Sequence, residues 1–395
     1  MKKLLGGIAL WLAAAVAPAS DLPGPAQAIN GFAFTLFDQT LQGPAAQNIF
    51  LSPYSVSVAL QMLCNGAAGK TRAEILGALN TKDLPEDEIN GYYKELNASL
   101  TSQTNVALNL ANSIWLNRGF ELKSAFVSTN EAFFGAMLGA VNFETPESAD
   151  LINRWAADST RGKITDVVSY PFPANTEVIL ANAIYFKGEW AEPFDQLQTQ
   201  PRYFYLGDGT IKQTPMMSRH GKCQYEEGDG FQAVELPYAG GRLQMILFLP
   251  VTNSSPAKML ASFNGKNWNE KILPGFSSRE GNLLFPKFKM SCRLLLTKPL
   301  QALGMQEAFV PGTANFSGMS GDPLYVSEIL QKSFVDVNEQ GTEAAAVTVV
   351  TIRATIAMRP LTPFEMIVDR PFFFVISDKP TGAILFMGIV NDPTR

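Results

Sequence analysis

Residues 338–358 read NEQGTEAAAVTVVTIRATIAM, and the fold turns on how this stretch is interpreted. Thr342-Glu343-Ala344-Ala345-Ala346 favours a helix, whereas Val347-Thr348-Val349-Val350-Thr351-Ile352 favours a strand, and no glycine or proline separates them. Read as a strand, its alternate side chains part onto two faces. Thr342, Ala344, Ala346, Thr348, Val350, Ile352 and Ala354 fall on one; Glu343, Ala345, Val347, Val349, Thr351, Arg353 and Thr355 fall on the other. The first face carries no charge and begins small, so it can lie against a packed core without burying an unpaired ion. No proline occurs from Thr342 to Arg359, which leaves every amide free to join a ladder; Pro360 and Pro363 come only afterwards. Gly341 supplies backbone freedom just ahead of the stretch. Such a segment can live as an exposed loop and also as a central strand.

The rest of the chain supplies a core for that strand to enter. Of 395 residues, 46% are hydrophobic and 17% charged, a balance typical of a globular protein. Thirty-one basic and thirty-six acidic residues give a net charge of −5, and no long run of one sign occurs, which argues against a nucleic-acid partner. Residues 1–28 read as an export signal: Lys2 and Lys3, an apolar run from Leu4 to Ala19, and the small-residue site Ala26-Gln27-Ala28. A cut after Ala17-Pro18-Ala19 satisfies the same rule. No later stretch is apolar and long enough to span a bilayer, so the expected product is a soluble secreted or periplasmic protein with no membrane contact after signal cleavage. Cys64, Cys223 and Cys292 are odd in number and far apart, and read as small core residues rather than a disulfide framework.

Elements fall in a definite order. From Ile29 to about Leu79 the apolar residues recur at helical steps, with Ser52 as cap and Pro53 as first helical residue of a second helix. Residues 81–170 read as mostly helical, with a strand at Ala111 to Leu116 and an amphipathic helix around Ile152 to Asp158. Five short apolar stretches then read as strands: 177–186, 232–238, 242–250, 282–290 and 372–378. Helices lead and strands follow, which is an α+β arrangement in a single domain covering 29–395.

Catalytic chemistry has little to work with. His220 is the single histidine, it lies in a hairpin-like MMSRHGKC, and SGMSGD misses a nucleophile elbow because Asp322 stands where the last glycine belongs. CNGAAGKT resembles a phosphate loop, but Cys64 occupies the first glycine position and a helix, not a strand, precedes it. No metal-ligand spacing occurs, and neither a metal nor another cofactor is expected. The expected protein is not an enzyme.

Several motifs agree with one family. NIFLSPYSVSVALQMLCNGAAGKTRAEI (48–75), NSIWLN (112–117), INRWAADSTRGKI (152–164), LANAIYFKGEWAEPFD (180–195), FPKFKM (285–290), LGMQEAF (303–309), VDVNEQGTEAAAVT (335–348) and FEMIVDRPFFFVISDKPTGAILFMGIVNDP (364–393) together resemble the serpins, in order and over nearly the whole mature chain. The resemblance implies three β-sheets, eight or nine helices and an exposed reactive-centre loop at about 339–364. It further implies a suicide-substrate inhibitor of serine, and in some members cysteine, proteases. A protease cleaves the loop, the hinge 341–348 inserts into the large sheet, and the covalent acyl-enzyme is trapped; loop insertion by this family is itself a standard example of such a switch.

The hinge residues are then Glu339, Gly341, Thr342, Glu343, Ala344, Ala345, Ala346, Val347 and Thr348. Counting from Glu339 in the family's manner puts the reactive bond at Thr355-Ile356, which suits an elastase-like or subtilisin-like protease. Arg353 is the rival reactive residue and would select a trypsin-like one. The inserted stretch Thr342–Thr355 would extend about 45 Å at about 3.3 Å per residue. A monomer is expected, metastable until cut. A non-inhibitory serpin, serving as carrier, chaperone or storage protein, is the alternative.

Overall fold

The computed structural model describes residues 24–41, 47–103, 106–342 and 362–395. Its strands are β1 (Ile49–Leu51), β2 (Val106–Asn117), β3 (Met137–Val141), β4 (Val178–Glu189), β5 (Gln200–Tyr205), β6 (Ile211–Gly228), β7 (Phe231–Pro237) and β8 (Leu243–Pro250). They continue with β9 (Ser277–Pro286), β10 (Phe288–Leu295), β11 (Val326–Asn338), β12 (Gly341–Thr342), β13 (Phe364–Ile367), β14 (Phe372–Asp378) and β15 (Ile384–Val390). The longer helices are α1 (Gly24–Thr40), α2 (Pro53–Cys64), α3 (Gly69–Ala78), α4 (Glu86–Thr101), α5 (Ser124–Phe134) and α6 (Pro146–Ser159).

Two ladders of hydrogen bonds organise the strands. A six-stranded sheet runs β10-β11-β12-β4-β2-β3. A nine-stranded one runs β1-β15-β14-β8-β7-β6-β9-β13, with β5 on β6. The fold class is the α+β one anticipated, but two of the three expected sheets form one ladder. The reason is β6, whose 18 residues pair with β5 at one end, β9 along the middle and β7 at the other end.

Packing explains the pattern of helices. α2 is buried along its whole length because it lies between the sheets, so its sequence is apolar on every side rather than amphipathic. The Ser52 hydroxyl accepts the Ser55 amide at 3.2 Å and Pro53 opens the helix, as its sequence signals. Around α2 the core is rich in aromatic rings, with Phe50 stacked on Phe386 at 5.2 Å and Phe186 against Phe386 at 5.6 Å. α6 covers the outer face of the six-stranded sheet through a second cluster that includes Trp115, Ile152, Ala156, Val167, Tyr185, Leu330 and Phe334.

Several boundaries differ from the sequence reading. Residues 282–290 are not one strand: the ladder changes sheet at Lys287, after Pro286, so β9 and β10 belong to different sheets. The 81–170 region holds two strands, β2 and β3. α1 starts at Gly24 and buries Pro25, Ala26 and Ala28, inside the segment read as a signal. All three cysteines are free, and burial pushes Cys64 up to about 12 and Cys292 up to about 11, as apolar packing residues require. Among the described residues no helix is long and apolar enough to cross a membrane.

Candidate functional site: the cut between two parallel strands

At the centre of the six-stranded sheet β4 and β11 run parallel and pair directly from Val178 and Val326 up to Tyr185 and Phe334. Above that point they part. β12 enters the gap, antiparallel to both, with Thr342 opposite Val337 on one side and Gly188 on the other. The chain reaches this wedge through a turn in which Asn338 Oδ1 accepts the Gln340 amide at 3.0 Å. Gly341 has φ +152°, and a Cβ there would lie 2.1 Å from the Gly188 carbonyl oxygen, so the sequence must place glycine at this point.

Aromatic rings roof the wedge. Trp190 stacks on Tyr238 with centroids 4.7 Å apart, and its indole N–H donates to the Asn338 carbonyl at 2.9 Å. Tyr238 meets the Thr342 hydroxyl at 2.8 Å, and Thr342 is wholly buried. A Cβ on Gly188 would lie 2.8 Å from the Tyr238 ring, so the small residue there keeps the ring over the wedge.

Glu339 fixes the start of the loop. Its carboxylate lies 2.9 Å from Lys287 Nζ and accepts the Thr199 hydroxyl at 2.8 Å, while its carbonyl accepts the Phe194 amide at 2.8 Å. Burial pushes this carboxyl up, but the bonds from Lys287 and Thr199 outweigh it and hold the group below the usual carboxylate range.

Lower in the cut a buried amide network ties β4 to β11. Gln331 and Asn182 are register partners, and the Gln331 amide donates to Asn182 Oδ1 at 2.8 Å and to the Ser52 carbonyl at 3.0 Å. Its own oxygen accepts the Ser52 amide at 2.7 Å. Asn182 in turn donates to Ser55 and to Asn112 of β2. On the outer face the segment after α6 straps the same strands: Lys332 pairs with Asp166 at 2.8 Å, and Arg293 of β10 donates to the Val167 carbonyl at 2.8 Å. At the other end of the strap, Asn109 of β2 donates to the Ser159 carbonyl at 2.8 Å.

Of the residues singled out in the sequence, Glu339, Gly341 and Thr342 meet at this cut. Glu343, Ala344, Ala345, Ala346, Val347, Thr348, Arg353, Thr355 and Ile356 lie outside the described residues. His220 stands on β6 with an exposed ring, 2.8 Å from Asn282 Oδ1 and 3.9 Å from Glu280. The CNGAAGKT stretch ends α2 and opens α3, with Gly69 at φ +56° in the turn. Among the described residues no cluster of three metal-ligating side chains occurs. Sequence reading missed Gln331, Asn182, Tyr238, Thr199 and Lys287. Gln331 stands in EILQKSF beside Lys332 and Ser333, so nothing in the local sequence marks it as buried.

The family model described as Serpin (serine protease inhibitor) matches residues 27–393. The chain belongs to the serpin family. Among curated relatives it is 34% identical to glia-derived nexin of Rattus norvegicus, over 91% of each chain. It is 31% identical to plasminogen activator inhibitor 1 of Bos taurus, over 98% of this chain and 97% of that one. Among solved structures it superposes on the thermophilic serpin tengpin in its native state with TM-score 0.85 at 27% identity, covering 93% and 94% of the two chains. Human thyroxine-binding globulin complexed with thyroxine gives TM-score 0.85 at 28% identity, covering 94% and 99%.

A carboxyl held below its unfolded value contributes stability that is complete at neutral pH and fades as pH falls through its folded value. Glu339→Gln should therefore lower the unfolding free energy at pH 7 by about 1–2 kcal/mol, a gap that closes toward pH 3. Urea titrations at the two pH values measure it. Gln331→Leu strands Asn182 Oδ1 and the Ser52 amide in the core, while the Ser52 carbonyl keeps the Val56 amide, and should cost about 2–4 kcal/mol. Asp166→Asn, which cuts only the exposed end of the strap, should cost under about 1 kcal/mol in the same titration.

Proposed function

We propose that this chain is a suicide-substrate inhibitor of serine proteases that traps its target by inserting the loop after Glu339 into the β4–β11 cut. The observation that carries this reading is β12: the first residues after the turn already form an antiparallel rung between two strands that are otherwise parallel neighbours. Extending that rung replaces one parallel ladder by two antiparallel ones, which adds hydrogen bonds and favours the better-aligned geometry. Thr342 faces Tyr238 and the core, so alternation would bring Ala344, Ala346 and Thr348 to that same uncharged face on insertion. The gain is withheld until the loop is cut, because an anchored loop cannot reach down the sheet.

In this reading a protease acylates at Thr355-Ile356 and is carried along the sheet before it can deacylate. An elastase-like or subtilisin-like enzyme fits that bond, and a trypsin-like one would act at Arg353. The partnership is covalent and one to one, with the inhibitor a monomer. Plasminogen activator inhibitor 1, a relative whose name states inhibition, supports a protease partner. We further assign export to residues ahead of Gly24: a cut after Ala28 would remove the buried Pro25, Ala26 and Ala28 of α1, whereas a cut after Ala19 leaves the helix whole.

A carrier function is the second reading. A cavity of about 830 Å³ between α1 and residues 260–270 is lined by Phe34, Phe37, Leu260 and Phe263, with Asp38 and Lys266 as polar members, and its size suits a small apolar ligand. Human thyroxine-binding globulin, a structural neighbour, is solved in complex with thyroxine.

Incubation with a panel of serine proteases separates the two. An inhibitor gives a denaturant-resistant complex and a small C-terminal fragment starting at Ile356, or at Ala354 if Arg353 is read; a carrier is only clipped. Thr342→Arg places a charge where the wedge is fully buried and should convert the inhibitor into a substrate, with cleavage retained and complex lost.

A further inference from the structure

The edge strand β5 of the β5–β6 hairpin carries the proline and charge that usually blunt a sheet edge, Pro201 and the exposed Arg202. It also turns aromatic residues outward: Tyr203 is 58% exposed and Tyr205 47%, while Phe204 between them is fully buried. Across the hairpin Ile211, 56% exposed, stands opposite Tyr205, and Leu197, 87% exposed, precedes the strand. Four of the large exposed apolar residues thus lie within fifteen positions, and a cluster of this kind marks a contact surface.

The surface is concave as well as apolar. Arg202, Tyr203, Tyr205, Gln213, Leu284 and Ile367 line a hollow of about 340 Å³ between the hairpin and β13. Its place is set by the backbone, since the Tyr205 amide donates to the Asp369 carbonyl at 2.7 Å, just past the end of β13. β13 is the strand by which the chain re-enters the fold after the loop. Thr362, two residues before it, is held by the Arg279 guanidinium at 2.8 Å. An enzyme seated on Thr355-Ile356 is tethered within about 25 Å of Thr362, the extended reach of the intervening residues.

We propose that the β5–β6 rim is a secondary docking surface for the attacking protease, a role that rests on the inhibitory reading of the loop. The occupant is a surface loop of the enzyme that bears a bulky apolar side chain next to a carboxylate. The side chain fills the hollow between Tyr203, Tyr205 and Ile367, and the carboxylate meets the exposed Arg202 guanidinium. Aromatic residues at the centre of such a contact dominate its affinity, and the charge raises the rate of encounter.

The test compares the wild-type chain with Tyr203→Ala/Tyr205→Ala and with Arg202→Glu, after unfolding midpoints show each variant folded. Subtilisin, pancreatic elastase and trypsin are each reacted with the three proteins and with a synthetic peptide of residues 349–362. For at least one enzyme the tyrosine pair should slow consumption of the intact chain about tenfold, the effect of about 1.4 kcal/mol. Hydrolysis of the peptide and the partition between complex and cleaved product should stay unchanged. Arg202→Glu should slow the same enzyme at low salt and recover as salt rises. Equal rates for every enzyme that attacks the chain would overturn the proposal, as would faster attack on the tyrosine variant, which would mean that the chain's own loop occupies the rim. Slowed cleavage without any covalent complex would keep the docking surface and remove the inhibitory reading. A chain that none of the enzymes cuts would remove both.

Discussion

The parallel ladder between β4 and β11 is the constraint on which the rest of the molecule depends. It must be closed in the native protein, because every backbone amide and carbonyl inside the sheet needs a partner. In the proposed inhibitory reading it is also the ladder that would be exchanged for two others when the loop inserts. Neither end state leaves polar groups unpaired, but any half-open state does, and that is where a barrier arises. β12 settles the boundary between the two regimes. It satisfies Val337 and Asn338 on one side and Gly188 and Glu189 on the other, so the mouth of the cut stands open without orphaned groups.

The side chains at the cut are matched to that task. The network joining Gln331, Asn182, Asn112, Ser52 and Ser55 is fully buried and contains no group that titrates. The closed ladder is therefore indifferent to pH around neutrality. Hydrogen bonds among such groups add modestly to stability when made and cost much more when broken singly, so the network acts as a threshold rather than as a spring. The ionic contacts sit elsewhere, at Glu339 and Lys287 above the cut and at Lys332 and Asp166 on its outer face. The charge at Glu339 holds the start of the loop, the point that the proposed mechanism needs to stay fixed.

What the sequence revealed follows the same division. The stretch 177–186 is legible as a strand because a strand covered on both faces is continuously apolar, and VILANAI reads that way. The capping of α2 and the glycine at 341 are local signals and were legible too. β11 and β6 were not, for opposite reasons. β11 carries Gln331 and Ser333 toward the core, where their partners come from residues about 280 positions away in sequence, so they look like surface residues. β6 alternates between buried and exposed positions over 18 residues and changes neighbours twice, which erases any single period. The switch of sheet at Lys287 depends on the Pro215 carbonyl that receives its amide, again a distant partner. The family resemblance supplied the order of elements that these polar strands conceal.

The two faces of the six-stranded sheet differ, and the difference bears on how the cut would open in the proposed mechanism. Its inner face rests on α2 and on the stacked rings of Phe50, Phe186 and Phe386, a close-packed layer in which every displaced methylene is felt. Its outer face is held by α6 and the strap, which bury Ile152, Ala156 and Val167 against Tyr185, Leu330 and Phe334, and whose polar ties to β11 and β10 are an ion pair with an exposed carboxylate and one guanidinium-to-carbonyl bond. The exposed ion pair is weak and re-forms readily in water. Separation of β4 and β11 is therefore cheapest when the strands and the strap shift together across the inner layer instead of pressing into it. In the proposed mechanism, insertion over a packed face requires small residues on the side that enters, and the uncharged face beginning at Thr342 and Ala344 meets that requirement. On that reading, the composition that makes residues 338–358 ambiguous as helix or strand answers to the rigidity of the layer they would enter.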